Sequence, residues 1–80
     1  MDNIVEILRQ FIEDYALKDY LNVRNIVMNS GEQDTLMNDR LNVLSIRLEA
    51  YIVLATNITD FKFDIDENYK LIIQPKSQHA

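Results

Sequence analysis

The chain has no cysteine and no tryptophan, and among its eighty residues only one glycine, one proline and one histidine. Without cysteine there are no disulfides, thiolate metal sites, thiol nucleophiles or redox chemistry, so stability must come from packing. With a single glycine neither the dinucleotide fingerprint G-x-G-x-x-G nor the phosphate loop G-x-x-x-x-G-K-[ST] can be written, which excludes those nucleotide enzymes. Basic residues are also scarce. Eight Lys and Arg, spread singly, face thirteen Asp and Glu for a net charge of −5. A nucleic-acid binder needs a clustered basic face that releases counterions, and none is present. No direct nucleic-acid binding is therefore expected.

Long apolar runs are missing as well. The longest stretch free of charge is 50–59, about half of the roughly twenty positions a membrane-spanning helix needs, so no membrane association is expected. Asp2 and Glu6 precede the first basic residue, Arg9, which does not fit the positive flank of a secretory signal. The expectation is a cytoplasmic protein, in which the acceptor pattern Asn57-Ile58-Thr59 is a chance match.

What is present is enough apolar material, 48% of the chain, for one packed domain over 1–80. The first stretch opens with Asn3 and Glu6 in capping-box spacing, and Ile4, Leu8, Phe11 and Tyr15 then recur at steps of four, three and four. They predict one core-facing helix face. Ile12, Ala16, Tyr20, Val23 and Val27 continue the stripe after a sideways drift, which fits one helix to about Met28 or a break near Lys18-Asp19. The break is favoured, because Asp19 can cap and Asn22 and Asn25 are poor interior helix residues. Asn29-Ser30-Gly31 then reverses the chain, with Gly31 suited to a left-handed helix end and Ser30 to Gln33 in capping-box spacing.

From about 32 to 57 a long helix is predicted. Met37, Leu41, Leu44, Leu48, Tyr51 and Ala55 alternate at steps of four and three, a seam of coiled-coil type flanked by Arg40 and Arg47, which should pair with acids across it. Val43, Ile46, Ala50 and Val53 form a second stripe. At about 100° per residue Val43 lies roughly 200° from Leu41, nearly opposite. A helix apolar on both sides is central and must be covered twice. One cover is the preceding helix, packed antiparallel. The other is the C-terminal segment, a second copy or a foreign partner.

The C-terminal segment predicts a β-hairpin over about 61–74. Phe61, Phe63 and Ile65 alternate with Lys62, Asp64 and Asp66, and Tyr69, Leu71 and Ile73 follow with the same period. A three-residue loop Asp66-Glu67-Asn68, with Asn68 left-handed, sets Ile65 against Tyr69, Phe63 against Leu71 and Phe61 against Ile73, all on the helix-facing side. Asp64 then opposes Lys70, and Ile72 stands alone on the outer face. The hairpin edges stay open to strand addition, Pro75 ends pairing, and 75–80 is a mobile tail.

The fold class is thus α+β and mainly helical: an antiparallel helical hairpin or three-helix arrangement, with a long central helix and a C-terminal β-hairpin. No enzymatic role is expected. His79 is the penultimate residue, with nothing to orient it as a base. Asp64-Ile65-Asp66-Glu67-Asn68 matches the first half of a calcium loop, but Tyr69 stands where the turn glycine belongs and Pro75 where the bidentate Glu belongs. No catalytic residue, metal ligand or cofactor site is assigned. Asp34-Thr35-Leu36 at the start of a helix is similar to the Asp-Ser-Leu of acyl carrier proteins. Thr35 replaces the serine that carries their prosthetic group, and no room remains for their last helix, so the family is not assigned.

The functional expectation is a small acidic protein–protein interaction module, a subunit, adaptor or inhibitor that docks a helical face or a hairpin edge and self-associates into a dimer or larger homo-oligomer. Val43, Ile46 and Val53 are the partner-binding residues, with Tyr69 and Ile72 as a hairpin contact, unless the core of the chain absorbs them. The alternative is an acidic mimic or immunity-type inhibitor that neutralises a basic, nucleic-acid-handling partner, using the dense acids of 60–67. The whole expectation hangs on the second stripe being covered. If Val43, Ile46 and Val53 lie in water with nothing over them, the two-sided architecture and the docking role fall together.

Overall fold

The computed structural model describes residues 3–30 and 35–76. Its elements in order are α1 (Asn3–Phe11), a π-helical segment (Ile12–Leu17), α2 (Lys18–Ser30), α3 (Thr35–Ile58), β1 (Phe61–Ile65) and β2 (Leu71–Pro75). The favoured break near Lys18-Asp19 does not occur. Phe11 and Lys18, on either side of the π-helical segment, both keep right-handed helical angles, so α1 and α2 form one continuous rod. Asp19 caps nothing; its carboxylate pairs with Arg47 across the helices at 3.0 Å. The arrangement is a two-helix hairpin and not a three-helix one. The drift in the apolar stripe reflects the wider π-helical turn, which advances the chain by an extra residue and moves the buried set to a new phase.

That phase change also corrects the core face of the first helix. Val5 is 0% exposed while Ile4 is 45% exposed, and Phe11 and Tyr15 are exposed too. The buried line is Val5, Ile12, Ala16, Leu17, Val23 and Val27. The rod and α3 run antiparallel. The Phe11 and Tyr51 rings meet edge-on at 5.1 Å, Asp19 meets Arg47, and Val23 and Val27 cluster with Leu44 and the half-buried Met37 and Leu41. The a/d seam of α3 is therefore the contact with the rod, as expected, and Leu44, Leu48 and Ala55 are buried. The connection at 31–34, with the Gly31 turn and Gln33, lies outside the described residues, as do His79 and the rest of 77–80.

The β-hairpin lies over the helical layer and packs Phe63, Phe61, Ile65, Leu71 and Ile73 on Val5, Ile12, Leu48 and Ala55. The two facing sets are those expected, because a register error of two residues keeps every side chain on its face. The register itself differs. Phe63 opposes Ile73, Ile65 opposes Leu71, Asp64 opposes Ile72 and Phe61 opposes Pro75. The loop is one residue further along, Glu67-Asn68-Tyr69. Asp66 fixes this phase: its N–H donates to the Lys70 carbonyl at 2.9 Å, and its Oδ1 accepts the N–H groups of Asn68 at 2.8 Å and Lys70 at 2.9 Å. The left-handed position falls on Tyr69, at φ 62°, and not on Asn68. A tyrosine disfavours that conformation. Its ring compensates by lying under the Arg24 guanidinium, 4.4 Å from the ring centre, and 6.1 Å from Tyr20. Pairing also runs past Pro75, since Lys76 N–H donates to the Asp60 carbonyl at 3.0 Å.

Against expectation, α3 is long and apolar enough to cross a membrane by length and composition, with a window of mean hydropathy 1.3. Arg47 and Glu49 fall near its middle, where charge is costly in a bilayer.

Candidate interaction surface

Helical geometry decides which parts of α3 stay open. Taking Leu48 as pointing to the rod, Ile52 and Thr56 lie about 40–80° to one side at 100° per residue. That side carries the hairpin, because the Phe63 N–H donates to Thr56 Oγ1 at 2.9 Å. On the other side lie Tyr51, Leu54 and Ile58, and around the back lie Val43, Ile46 and Val53, roughly 140–220° from Leu48.

None of the back residues is covered. Val43 is 63% exposed, Ile46 68% and Val53 51%. Of the three covers the sequence left open, the C-terminal hairpin is not the one: α3 has only about a 100° span of its surface occupied by the rod and a neighbouring span by the hairpin, leaving its back to water. The core of the chain does not absorb the three residues either. Val43, Ile46 and Val53 lie in water with nothing over them, so the two-sided architecture expected from the sequence falls, and the docking role as argued from it falls with it; any docking role rests afresh on the exposed residues themselves.

The open surface is wider than the sequence reading placed it. Ile4, Ile7, Phe11 and Tyr15, at steps of three, four and four, are exposed along the rod, and Leu54 and Ile58 are exposed on α3. The antiparallel register that brings Phe11 to Tyr51 brings Ile4 towards Ile58 on the flank of α3 away from the hairpin, whereas Val53 borders a groove with Thr56, Lys62 and Phe63 on the hairpin flank. The signal is in the sequence: the stripe Ile4, Phe11 and Tyr15 expected to face the core is the exposed one. Ile7 and Val5, on either side of that line, show that the first helix too is apolar on two faces.

Tyr69 and Ile72 belong elsewhere. Both are half-buried on the hairpin, Tyr69 closing a groove against Tyr20 and Arg24, and Ile72 on the outer face opposite Asp64. The five candidate residues are thus not brought together. Val43, Ile46 and Val53 form one surface; Tyr69 and Ile72 do not join it.

Charge sits at the margins of the apolar side. Arg9 bridges Glu6 and Glu13 along the rod, and the hydrogen bond from Arg9 holds the Glu6 carboxyl below its ordinary value of 4.5, against a smaller opposing effect of desolvation. Arg47 pairs with Asp19 as a seam-flanking charge should, while its buried Nε has no partner. Arg40 makes no ion pair among the described residues. Also among the described residues, no group of three His, Asp or Glu side chains is placed to hold a metal ion. What the surface offers chemically is apolar adhesion with a polar rim.

Comparison with protein-family models, with curated proteins and with solved structures finds no match.

Proposed function

We propose that this protein is a non-enzymatic interaction module that docks the open side of its helical hairpin on a protein partner. The observation that carries the proposal is the exposure of Val43, Ile46, Val53 and Leu54 along the back of α3, with Ile7, Phe11 and Tyr15 exposed on the rod. Large exposed apolar side chains gathered on one helix mark interaction sites. The helical layer has a sheet on one side and nothing on the other, whereas domains are built from layers that bury their apolar faces. A partner supplies the missing layer. An amphipathic helix or helical pair is the occupant whose ridges fit the grooves between α3 and the rod.

The competing reading is an acidic mimic of a basic partner's ligand. The acids that would carry it, Asp60, Asp64, Asp66 and Glu67, are interspersed with Lys62 and Lys70, and Asp66 spends an oxygen on its own turn. Salt separates the two. Affinity capture from the native host is run at about 0.1 M and 1 M salt, since screening shortens the reach of charge from about 10 Å to 3 Å over that range. Apolar docking keeps the captured protein at high salt. A partner that elutes steeply with salt overturns the proposal in favour of the charged mimic.

A further inference from the structure

The two edges of the β-hairpin are not equivalent. In the pairing with β2, the Asp66 N–H donates to the Lys70 carbonyl and the Lys76 N–H donates to the Asp60 carbonyl. Alternation along an antiparallel ladder then points the backbone groups of the odd-numbered residues away from the partner strand. On β1 the outward N–H groups are occupied. Phe61 N–H donates to Thr59 Oγ1 at 3.2 Å, Phe63 N–H to Thr56 Oγ1 at 2.9 Å, and Ile65 N–H to Asp64 Oδ1 at 2.8 Å. The sequence expectation of two open edges therefore fails for β1. On β2 the outward N–H and C=O groups of Leu71 and Ile73 have no hydrogen-bond partner among the described residues.

We infer that β2 pairs with β2 of a second copy, antiparallel, about a two-fold axis through Ile72. The register follows from the residues. Setting Leu71 against Ile73 of the second copy forms four backbone hydrogen bonds, two on each side of the axis. It places Ile72 against Ile72 as a close, non-hydrogen-bonded pair, and Lys70 against Gln74. Sliding by two residues one way puts Ile73 against Ile73 but sets Lys70 against Lys76, like charges face to face. Sliding the other way sets Lys70 against Ile72. Pro75, which has no N–H to offer, lies beyond the four bonds. The result is one four-stranded sheet in place of two two-stranded ones that each leave the β2 edge unpaired. Both helical layers lie on the same side of that sheet, so both open apolar sides still face outwards. The joint is independent of the docking proposal and presents its surface in duplicate.

The test uses the absence of native cysteine. In Ile72→Cys the only thiols of two paired chains meet at the axis, in a cross-strand position whose spacing suits a disulfide. Mild oxidation at tens of micromolar is expected to convert most of the protein to a covalent dimer on a non-reducing gel, at least tenfold faster than Lys62→Cys on β1 of the same outer face. Ile72→Lys, which sets two ammonium groups together yet faces Asp64 within its own hairpin, is expected to keep its melting temperature and weaken the light-scattering dimer at least tenfold. Equal cross-linking of the two cysteine variants, or a monomeric wild type at tens of micromolar, overturns the inference. Ile46→Glu/Val53→Glu leaves the cross-link intact if the joint is right, so failure of the joint and failure of the docking surface give different patterns.

Discussion

Thr56→Val is the substitution that most cleanly separates the hairpin from the helical layer. Thr56 Oγ1 accepts the Phe63 N–H at 2.9 Å and lies 3.4 Å from the Phe63 carbonyl, and Phe63 is 2% exposed. Valine keeps the branched shape and removes only the polar atom. The buried N–H then goes unpaired, which costs about 1–3 kcal/mol. For a chain of this length total stability is roughly 4–12 kcal/mol, so the loss is a sizeable share of it. Melting should fall by about 5–20 °C, at roughly 4–8 °C per kcal/mol. The assay is thermal unfolding by circular dichroism with amide hydrogen exchange. In Thr56→Val the Phe63 amide should lose protection ahead of the α3 core around Leu48, and Thr56→Ser should restore most of it. An unchanged melting temperature together with an unchanged Phe63 exchange rate would refute the latch.

Three further outcomes are expected. Arg24→Gln removes the cation from the Tyr69 ring that offsets its left-handed backbone, and should destabilise by about 0.5–1 kcal/mol in urea unfolding. Ile12→Ala, at a side chain with no exposure, should cost about 2–5 kcal/mol in the same assay. Because the Arg9 hydrogen bond lowers the Glu6 pKa on folding, its contribution is complete above the unfolded value near 4.5 and fades as pH falls through the lower folded value. Glu6→Gln should therefore show a shallower loss of stability below pH 4.5, seen in melting temperature against pH; an identical acid limb would show that the Arg9–Glu6 contact contributes nothing.

How far the sequence reading reached is best seen element by element. The seam Leu44, Leu48, Ala55 and the alternation through Phe63 and Ile73 were legible because periods of about 3.5 and 2 record which side of a helix or strand is buried. The π-helical segment left only a drift, since one extra residue in a turn changes the phase without adding a motif. That is why Ile4 was assigned to the core in place of Val5. The hairpin phase was set by the Asp66 carboxylate reaching two amides, an interaction that competes with the intrinsic tolerance of Asn68 for left-handed geometry and wins. The second stripe of α3 was legible as apolar. What lies over it was not, because periodicity marks a face without naming its neighbour, and the threonine latch at Thr56 and Thr59 drew the hairpin to the adjacent side.

On the proposed function, the open helical side serves binding and contributes little to folding. Ile46→Glu/Val53→Glu tests both halves in one comparison with the wild type, through melting temperature and quantitative capture of partners from the native host at 1 M salt. The account predicts a melting shift of only a few degrees, as for exposed positions, with the captured protein lost. Retained capture, or a variant that no longer folds, would contradict it.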